Sequence, residues 1–239
     1  MRKTGFTLAE TLITLAIIGV VAVVVISPLI TNVQKATTIN KLKVAYHDIK
    51  NAIAMAELEY GPFYLWDYID GARRGSAHIF EYYIASKLNV KKSTNKPQSL
   101  TYYGPNNKKD TGYAFIRGQS VSYTSIKGYE MILVDNDIAS YWGDAKSMSF
   151  FLDLNGHKKG PNRLGRDMFS LSIYPDEGFT FSHMDDGEYK KHGSVIRTRE
   201  QLKNGPSNEN YQCNKKGRGG WCGALIFIDD WQIKDDYPW

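Results

Sequence analysis

One acidic side chain, Glu10, lies near the start of an apolar run that extends from Phe6 to Ile30. A carboxylate in such surroundings is costly unless a positive group or hydrogen-bond donors compensate its charge. At the edge of a membrane it can instead be protonated or extend toward the headgroups. The residue types therefore predict either a boundary position for Glu10 or a positive partner that meets it.

Motifs of the common catalytic sites are missing from the sequence. It contains no G-x-S-x-G, no H-E-x-x-H, no phosphate-binding loop and no G-x-G-x-x-G that follows a strand. The five histidines are dispersed, and each is expected to be a surface or partly packed residue: His47, His78, His157, His183 and His192. We therefore expect no enzymatic activity.

Four residues of one short, glycine-containing stretch offer oxygen ligands of the kind that calcium prefers: Asp153, Asn155, Asn162 and Asp167. The twelve-residue calcium loop of helix-loop-helix proteins is absent. The simpler interpretation is that Asn155 and Gly156 form a hairpin turn and that the acids are ordinary loop residues, since Asn and Gly tolerate positive φ. The sequence predicts no other cofactor.

The two cysteines, Cys213 and Cys222, bracket a glycine-rich segment near the C-terminus. Their number and spacing favour a small disulfide loop, which requires an oxidising compartment. A zinc site is disfavoured, because no histidine lies between the two cysteines to complete a four-ligand set.

The net charge is +5, and many lysines occur in pairs within turn-rich segments. Such pairs are typical of a solvated loop surface and do not by themselves define one face for nucleic acid. A nucleic-acid contact stays the less favoured interpretation. The pairs are Lys91 and Lys92, Lys108 and Lys109, Lys158 and Lys159, Lys190 and Lys191, and Lys215 and Lys216.

The apolar run is long enough for a membrane helix, because Phe6 to Ile26 suffices to cross about 30 Å of hydrocarbon. A cleaved secretory signal is disfavoured, since no A-x-A pattern follows the run. Arg2 and Lys3 predict a cytoplasmic N-terminus by the positive-inside rule. The remainder of the chain is then extracytoplasmic, which agrees with a disulfide.

The segment from Gly5 to Leu12 resembles the prepilin cleavage and methylation motif of type IV pilins and of type II secretion pseudopilins. This resemblance implies that a prepilin peptidase cuts between Gly5 and Phe6 and that Phe6 is then N-methylated. It also implies that Glu10 pairs with the terminal amine of a neighbouring subunit. Such a pairing answers the electrostatic problem of the buried acid.

After Pro28, where a helix should kink or loosen, helical periodicity resumes. Its apolar stripe consists of Ile39, Leu42, Tyr46, Ile49, Ile53 and Ala56. We expect Gly61 and Pro62 to end this helix. The predicted divisions are a leader at 1–5, a transmembrane or filament-core helix at 6–30, an amphipathic helix half at 31–60 and a globular head at 61–239.

The head is expected to contain a short helix from Ala77 to Leu88, followed by short strands. Hairpin connections are predicted at 135–137 and 155–156. An α+β fold follows, in which the long helix packs on an antiparallel sheet with a C-terminal disulfide loop. The expected strands are Tyr113–Ile116, Tyr129–Val134, Ile138–Trp142, Ser149–Leu154, Phe169–Tyr174, Ala224–Ile228 and Trp231–Ile233.

By this resemblance the chain is a structural subunit of a type IV pilus or pseudopilus. Its implied partners are other subunits, the prepilin peptidase and methyltransferase, an inner-membrane assembly platform and lipid. The implied location is the bacterial cytoplasmic membrane, and afterwards a pilus, pseudopilus or cell surface. The alternative is a minor pilin whose head binds DNA or a surface. The motif does not distinguish secretion, motility, adhesion and DNA uptake.

Overall fold

The long N-terminal helix dominates the architecture of the computed structural model. The structure describes residues 5, 7–66, 76–92, 101–110, 120–134, 148–174, 177–183, 197–207 and 210–239. Helix α1 spans Leu8–Tyr60, 53 residues, which corresponds to about 80 Å at 1.5 Å per residue. It continues through Pro28 and ends at Gly61, whose φ is +84°. The predicted end of the helix is therefore confirmed.

The two halves of α1 have different surroundings. Up to Ile30, almost every side chain is exposed to the outside of the molecule. From Ile39 onward one face is buried, and all six members of the predicted apolar stripe belong to it. The exposed part is long and apolar enough to cross a membrane. Hence one continuous helix combines an unpacked apolar half with a half that carries the head.

A six-stranded antiparallel sheet forms the centre of the head, with strand order β1-β4-β5-β6-β7-β8. A two-stranded antiparallel sheet, β2-β3, lies apart from it. The strands are β1 Val90–Lys92, β2 Tyr102–Tyr103, β3 Lys109–Asp110, β4 Ser120–Ser125, β5 Glu130–Val134, β6 Met148–Asp153, β7 Met168–Tyr174 and β8 Gly178–Phe181.

The buried stripe of α1 packs in the same hydrophobic core as one face of this sheet. Tyr46 is at its centre, stacked on Phe179 and Phe181 with ring centroids 4.9 and 5.2 Å away. Trp231 from the C-terminal tail contacts the same tyrosine edge-on. The opposite face of the sheet is covered by a second cluster, Tyr102, Ile132, Phe151, Leu164 and Met168. The expected α+β architecture is confirmed.

Four short helical segments complete the described head, the first of which is a 3₁₀ turn at Phe63–Leu65. The predicted helix at 77–88 is a continuous helical stretch whose parts differ in winding: α2 at Ser76–Ile79, a π-helical turn at Phe80–Ile84 and a 3₁₀ turn at Ala85–Lys87. Helices α3 and α4 span Arg199–Asn204 and Cys222–Ile228.

Several sequence-based expectations about strands need correction. The predicted strand at Ala224–Ile228 is wrong, because those residues form α4; Trp231–Ile233 forms no strand either. The tight hairpin at 155–156 is also wrong: a long loop, 154–167, connects β6 to its neighbour β7. The predictions for β5, β6 and β7 are confirmed within one or two residues. The expected elements at 113–116, 135–137 and 138–142 lie outside the described residues.

Candidate functional site

The start of α1 is held by a reciprocal cap between Thr7 and Glu10. The backbone N–H of Thr7 donates to Glu10 Oε2 at 2.8 Å, and the backbone N–H of Glu10 donates to Thr7 Oγ1 at 3.3 Å. The Thr7 hydroxyl also donates to Oε2, at 3.0 Å. Both residues are exposed. This is a capping box, which satisfies two of the otherwise unpaired amides at a helix start.

The predicted cleavage residues flank this cap. Gly5 is exposed, and a Cβ added to it would meet no described atom within 4 Å. Phe6 lies outside the described residues. The backbone before the helix therefore offers Gly5 on an open surface, which a processing enzyme needs.

The apolar half of α1 presents large hydrophobic side chains in every direction. A helix that is hydrophobic all round belongs in lipid or in a protein interior. The described head covers none of this surface, which is long and apolar enough to cross a membrane. Side chains with more than half of their area exposed include Leu8, Leu12, Ile13, Leu15, Ile17, Ile18, Val20, Val21, Val23, Val24, Val25 and Leu29.

The end of β6 and the loop that follows it, residues 153–167, are here called the oxygen loop and carry the four predicted oxygen ligands. Asp153 Oδ1 accepts from the backbone N–H groups of Asn155 and Gly156 at 3.0 and 2.8 Å. The Asp167 carboxylate accepts from the backbone N–H of Asn162 at 2.9 Å. Each aspartate is therefore hydrogen-bonded to the backbone of one of the two asparagines.

Three oxygen atoms of these residues are buried and have no hydrogen-bond partner among the described residues: Asp153 Oδ2, Asn155 Oδ1 and Asn162 Oδ1. Both asparagines use their amide nitrogens instead, toward Gly160 O and His157 O. Buried polar atoms are normally paired. Three unpaired oxygens on one loop therefore need an explanation.

The surroundings of Asp153 and Asp167 disfavour the charged forms of their carboxyl groups. Burial raises the pKa of Asp153 to about 7 in spite of the backbone bonds it accepts, and the charges of Asp167 and Glu130 contribute to the increase. Burial also raises the pKa of Asp167. No group of three or more His, Cys, Asp and Glu in the described part of the chain could hold a metal. Any ion here would need amide or carbonyl oxygens as well.

A further buried acid, Glu130, was not anticipated from the sequence. It lies opposite Asp153 in the pairing of β5 with β6, and its Oε2 accepts from the backbone N–H of His157 and contacts His157 Nδ1 at 2.7 Å. Glu130 is the first residue of β5, directly after a turn, where an acid is commonly exposed, so no local signal marks it as buried. Its position depends on strand register, which only the folded chain defines.

The predicted disulfide between Cys213 and Cys222 is formed, with a Cα–Cα distance of 4.8 Å. Both cysteines are buried, and Cys222 is the first residue of α4. Next to them, the Tyr237 hydroxyl donates to the carbonyl oxygen of Gly165 at 2.6 Å. The disulfide and the C-terminal tail therefore pack directly against the oxygen loop.

The segments that carry two of the lysine pairs are neighbours in the fold, which the sequence did not predict. The Asn106 side chain donates to the carbonyl of Lys216 at 3.4 Å, and Gly104 lies against the Arg218 backbone. The loops that carry Lys108 and Lys109, and Lys215 and Lys216, are therefore neighbours, and all four lysines are exposed. Pair 190–191 lies outside the described residues.

Three of the five histidines lie at the surface or partly packed, as predicted, whereas His183 does not. His47 is exposed, His78 is part-buried and His157 contacts Glu130. His183 is buried, with Nδ1 3.0 Å from the carbonyl oxygen of Phe181 and Nε2 3.2 Å from Glu177. His192 lies outside the described residues. No described histidine contacts a serine or cysteine nucleophile in a catalytic arrangement.

Comparison with known families gives two matches. Residues 28–239 match a family of unknown function, DUF6613. The chain belongs to that family. Residues 1–26 match the prokaryotic N-terminal methylation motif, which is the prepilin-type cleavage and methylation signal of type IV pilins and pseudopilins. In this member of the DUF6613 family, the head is therefore joined to a pilin-type N-terminus, and the α+β fold is pilin-like. No curated protein and no solved structure matches the chain.

Proposed function

We propose that this protein is a structural subunit of a type IV pilus or type II secretion pseudopilus. The observation that carries the proposal is a pilin-type motif at the start of a helix whose apolar half no part of the described head covers. Such a surface is stable in lipid before assembly and in a bundle of like helices afterwards. Polymerisation through α1 provides that second environment.

In this proposal a prepilin peptidase cuts after Gly5, the new amine at Phe6 is methylated, and the subunit enters the filament. Thr7 donates two hydrogen bonds to the Glu10 carboxylate, and Oε2 accepts both of them. Within the described part of the chain, no donor is hydrogen-bonded to Oε1. A positive amine from a neighbouring subunit can therefore approach the carboxylate without breaking the cap. Each buried acid would then receive a charge partner and a fixed register.

The topology follows from the charges near the N-terminus. Arg2 and Lys3 favour retention of the leader in the cytoplasm, so the head folds outside, where the Cys213–Cys222 disulfide is stable. The partners of this proposal are the peptidase and methyltransferase, an inner-membrane assembly platform and other pilin or pseudopilin subunits. No catalytic activity is proposed.

The proposal is tested by blocking the cut without disturbing the fold. Because a Cβ at Gly5 meets no described atom within 4 Å, Gly5→Val leaves the helix and the head intact. In the native host, this variant should keep its leader and stay in the membrane fraction, absent from sheared surface fibres or from a pseudopilus preparation. Gly19→Val is the matched control, since Gly19 is equally open within α1. Processing of Gly19→Val should be normal, whereas efficient assembly of unprocessed Gly5→Val would contradict the proposal.

A second candidate function, a minor pilin that binds DNA or another polyanion, is favoured by the meeting of two lysine pairs. The exposed Lys108, Lys109, Lys215 and Lys216 lie on adjoining loops that Asn106 links. A surface of four neighbouring cations attracts phosphate backbones through counterion release. Close to these loops, the guanidinium group of Arg218 lies over the ring of Tyr211, 5.2 Å from the ring centroid.

Binding to this surface should weaken steeply with salt, by a factor that grows with the number of phosphates contacted. The full-length protein in detergent micelles is measured with a fluorescent single-stranded oligonucleotide over a salt series. Replacing Lys215 and Lys216 with serine should lower both the affinity and the salt slope. The same change at Lys158 and Lys159 is the matched control. Equal effects of the two double variants would refute a localised site.

A further inference from the structure

We propose that the head binds single-stranded nucleic acid on a row of three side chains, Lys109, Tyr103 and Arg163, with a base stacked on the tyrosine and phosphates on the two cations. This inference rests on the second candidate function, the binding of DNA or another polyanion. It adds the form of nucleic acid and the residues that contact it. Its starting point is the pairing of the small sheet, β2-β3, with the oxygen loop.

Tyr103 lies between two cationic residues in the pairing of three backbone segments. Lys109 is its antiparallel partner in β3, and Arg163 of the oxygen loop is its partner in a parallel bridge. The N–H of Tyr103 donates to the carbonyl oxygen of Asn162, and the N–H of Leu164 donates to the carbonyl oxygen of Tyr103, both at 2.9 Å. Paired residues project to the same face, and neighbouring segments lie about 4.8 Å apart. The three side chains therefore form one row, cation, aromatic ring, cation.

The members of this row are available to a ligand. Tyr103 is 37% exposed, whereas its neighbour Tyr102 is fully buried in the second hydrophobic cluster. Lys109 is exposed. Arg163 is partly exposed, and its buried Nε has no hydrogen-bond partner among the described residues. Since a buried donor normally has an acceptor, this arginine has donor capacity left for a phosphate.

The disulfide loop, residues 213–222, extends the positive surface beside the row. Its Lys215 and Lys216 are exposed. The loop packs closely on the turn between β2 and β3, because a Cβ added to Gly219 would lie 2.5 Å from Cδ of Pro105. The disulfide joins the two ends of this loop. The additional cations are therefore carried by a segment in direct contact with the segment that carries the row.

An aromatic ring between cations favours a single strand over a duplex. In a duplex the base faces are stacked on one another, so a protein surface reaches mainly phosphates, and cations alone would suffice. In a single strand the base faces are accessible, and an aromatic side chain can stack on them. Tyr103 can take a base on its ring while Lys109 and Arg163 take adjacent phosphates. Such a site reads no sequence, because every base has a flat face.

The test compares three fluorescent probes on the full-length protein in detergent micelles at one salt concentration. They are an oligothymidylate of about 12 nucleotides, within the roughly 4–16 that single-strand modules cover, an abasic strand of equal length and a duplex of equal length. The oligothymidylate should bind at least about fivefold more tightly than either of the others, which corresponds to about 1 kcal/mol of base stacking.

The outcomes separate this inference from the function on which it rests. Equal binding of the three probes, or tighter binding of the duplex, would overturn the single-strand site and leave the binding of polyanions intact. Absence of salt-sensitive binding to every probe would contradict both.

Substitution of the ring gives the sharper measurement. Tyr103→Leu removes the flat ring and keeps an apolar side chain, and Tyr103→Phe restores the ring. Tyr103→Leu should weaken binding of the oligothymidylate at least about fivefold and leave binding of the abasic strand unchanged, because only a base can stack. Tyr103→Phe should bind as the wild type does. Tyr82→Leu, at a tyrosine that is 51% exposed, is the matched control and should have no effect.

The cations are tested through the salt dependence. Lys109→Gln should reduce the slope of log affinity against log salt by about 0.7, the value for one phosphate of a single strand. Lys50→Gln, at an exposed lysine of α1, should leave the slope unchanged. Unfolding temperatures equal to that of the wild type show that the variants are folded. Unchanged oligothymidylate affinity in folded Tyr103→Leu would remove the assigned site.

Discussion

Glu10 accepts a hydrogen bond from the backbone N–H of Thr7 at 2.8 Å, so the carboxylate already has a partner within a single chain. In the structure this acid caps the start of the apolar helix, and the proposed function gives it a second role. That proposed role is to provide a negative charge for the amine of a neighbouring subunit. A substitution that keeps the first and removes the second distinguishes them.

Glu10→Gln is that substitution, because glutamine also completes a capping box but carries no charge. We expect Glu10→Gln and Glu10→Val to insert into the membrane and to be processed. Both should enter filaments at less than about a tenth of the wild-type level, because losing an amine pairing of about 1.4 kcal/mol lowers an equilibrium tenfold. The measurement is quantitative immunoblotting of sheared fibres against the membrane fraction.

Thr7→Ala is the control for these variants, since it removes the capping hydroxyl and leaves the carboxylate. It should cost the helix start about 1 kcal/mol and leave incorporation nearly unchanged. Normal assembly of Glu10→Gln would show that the charge is dispensable.

Gly165 should be intolerant of any side chain. Its φ is +81°, and an added Cβ would lie 2.8 Å from both Cβ and Sγ of Cys222 and 2.9 Å from the Tyr237 hydroxyl. We expect Gly165→Ala to lower the free energy of unfolding by about 2–4 kcal/mol, through backbone strain and overpacking together. Gly178→Ala isolates the strain, because Gly178 has a φ of +72° and no described atom within 4 Å of the added Cβ.

Gly178→Ala should cost only about 1–2 kcal/mol, the price of a left-handed backbone for a residue with a Cβ. Both variants are measured by denaturant unfolding of the full-length protein in micelles, followed by tryptophan fluorescence. Equal losses in the two variants would contradict the tight packing of Gly165 against the disulfide.

Arg199 connects α3 to two acids of the C-terminal tail. Its Nε lies 2.8 Å from Asp229 Oδ1, and its Nη2 lies 2.7 Å from Asp236 Oδ1. Hydrogen bonds from Arg199 and then Lys203 lower the pKa of Asp236. Burial alone would raise the pKa of Asp229, but the bonds from Arg199 and Lys234 outweigh it, and the net pKa is lowered.

The sign of the pH dependence follows from these directions. Both carboxylates have folded-state pKa values below the unfolded value of about 3.9. Their contribution to the stability of the fold is therefore fully present above that pH, and it is lost as the pH falls through the lowered pKa values. Arg199→Met should destabilise the protein by about 1 kcal/mol near neutral pH, since water screens the half-exposed Asp236. The difference between Arg199→Met and the wild type in the free energy of unfolding, measured with urea, should shrink toward zero in strong acid. Lys50→Met, at an exposed lysine of α1, is the control and should show no such trend. A pH-independent loss would argue against the ion pairs.

Regular patterns in the sequence predicted the fold where local physics dominates. The stripe from Ile39 to Ala56 repeats at helical spacing, and every member is buried. The apolar run at Ala224–Ile228 was ambiguous, since a short run of this length suits a strand or a buried helix equally. In the structure the run is a buried helix that packs closely on β8, since a Cβ at Gly223 would lie 2.3 Å from the ring of Phe181.

The candidate sites also differ in how much of each could be predicted from local sequence patterns. The N-terminal motif is contiguous and could be recognised from the sequence alone. The four oxygen-bearing residues were also named from the sequence, but the position of Glu130 beside Asp153 depends on the pairing of β5 with β6. The hydrogen bond from Asn106 to the carbonyl of Lys216 joins residues that are 110 positions apart in the chain. No local pattern encodes such a contact, because it arises only when distant loops pack together.

The most direct test of the account is the intact mass of the wild-type protein from its native host, measured separately in membranes and in sheared fibres or pseudopili. The account predicts that the assembled protein begins at Phe6, lacks residues 1–5 and carries one additional methyl group. Assembled protein that still contains Met1 would contradict it.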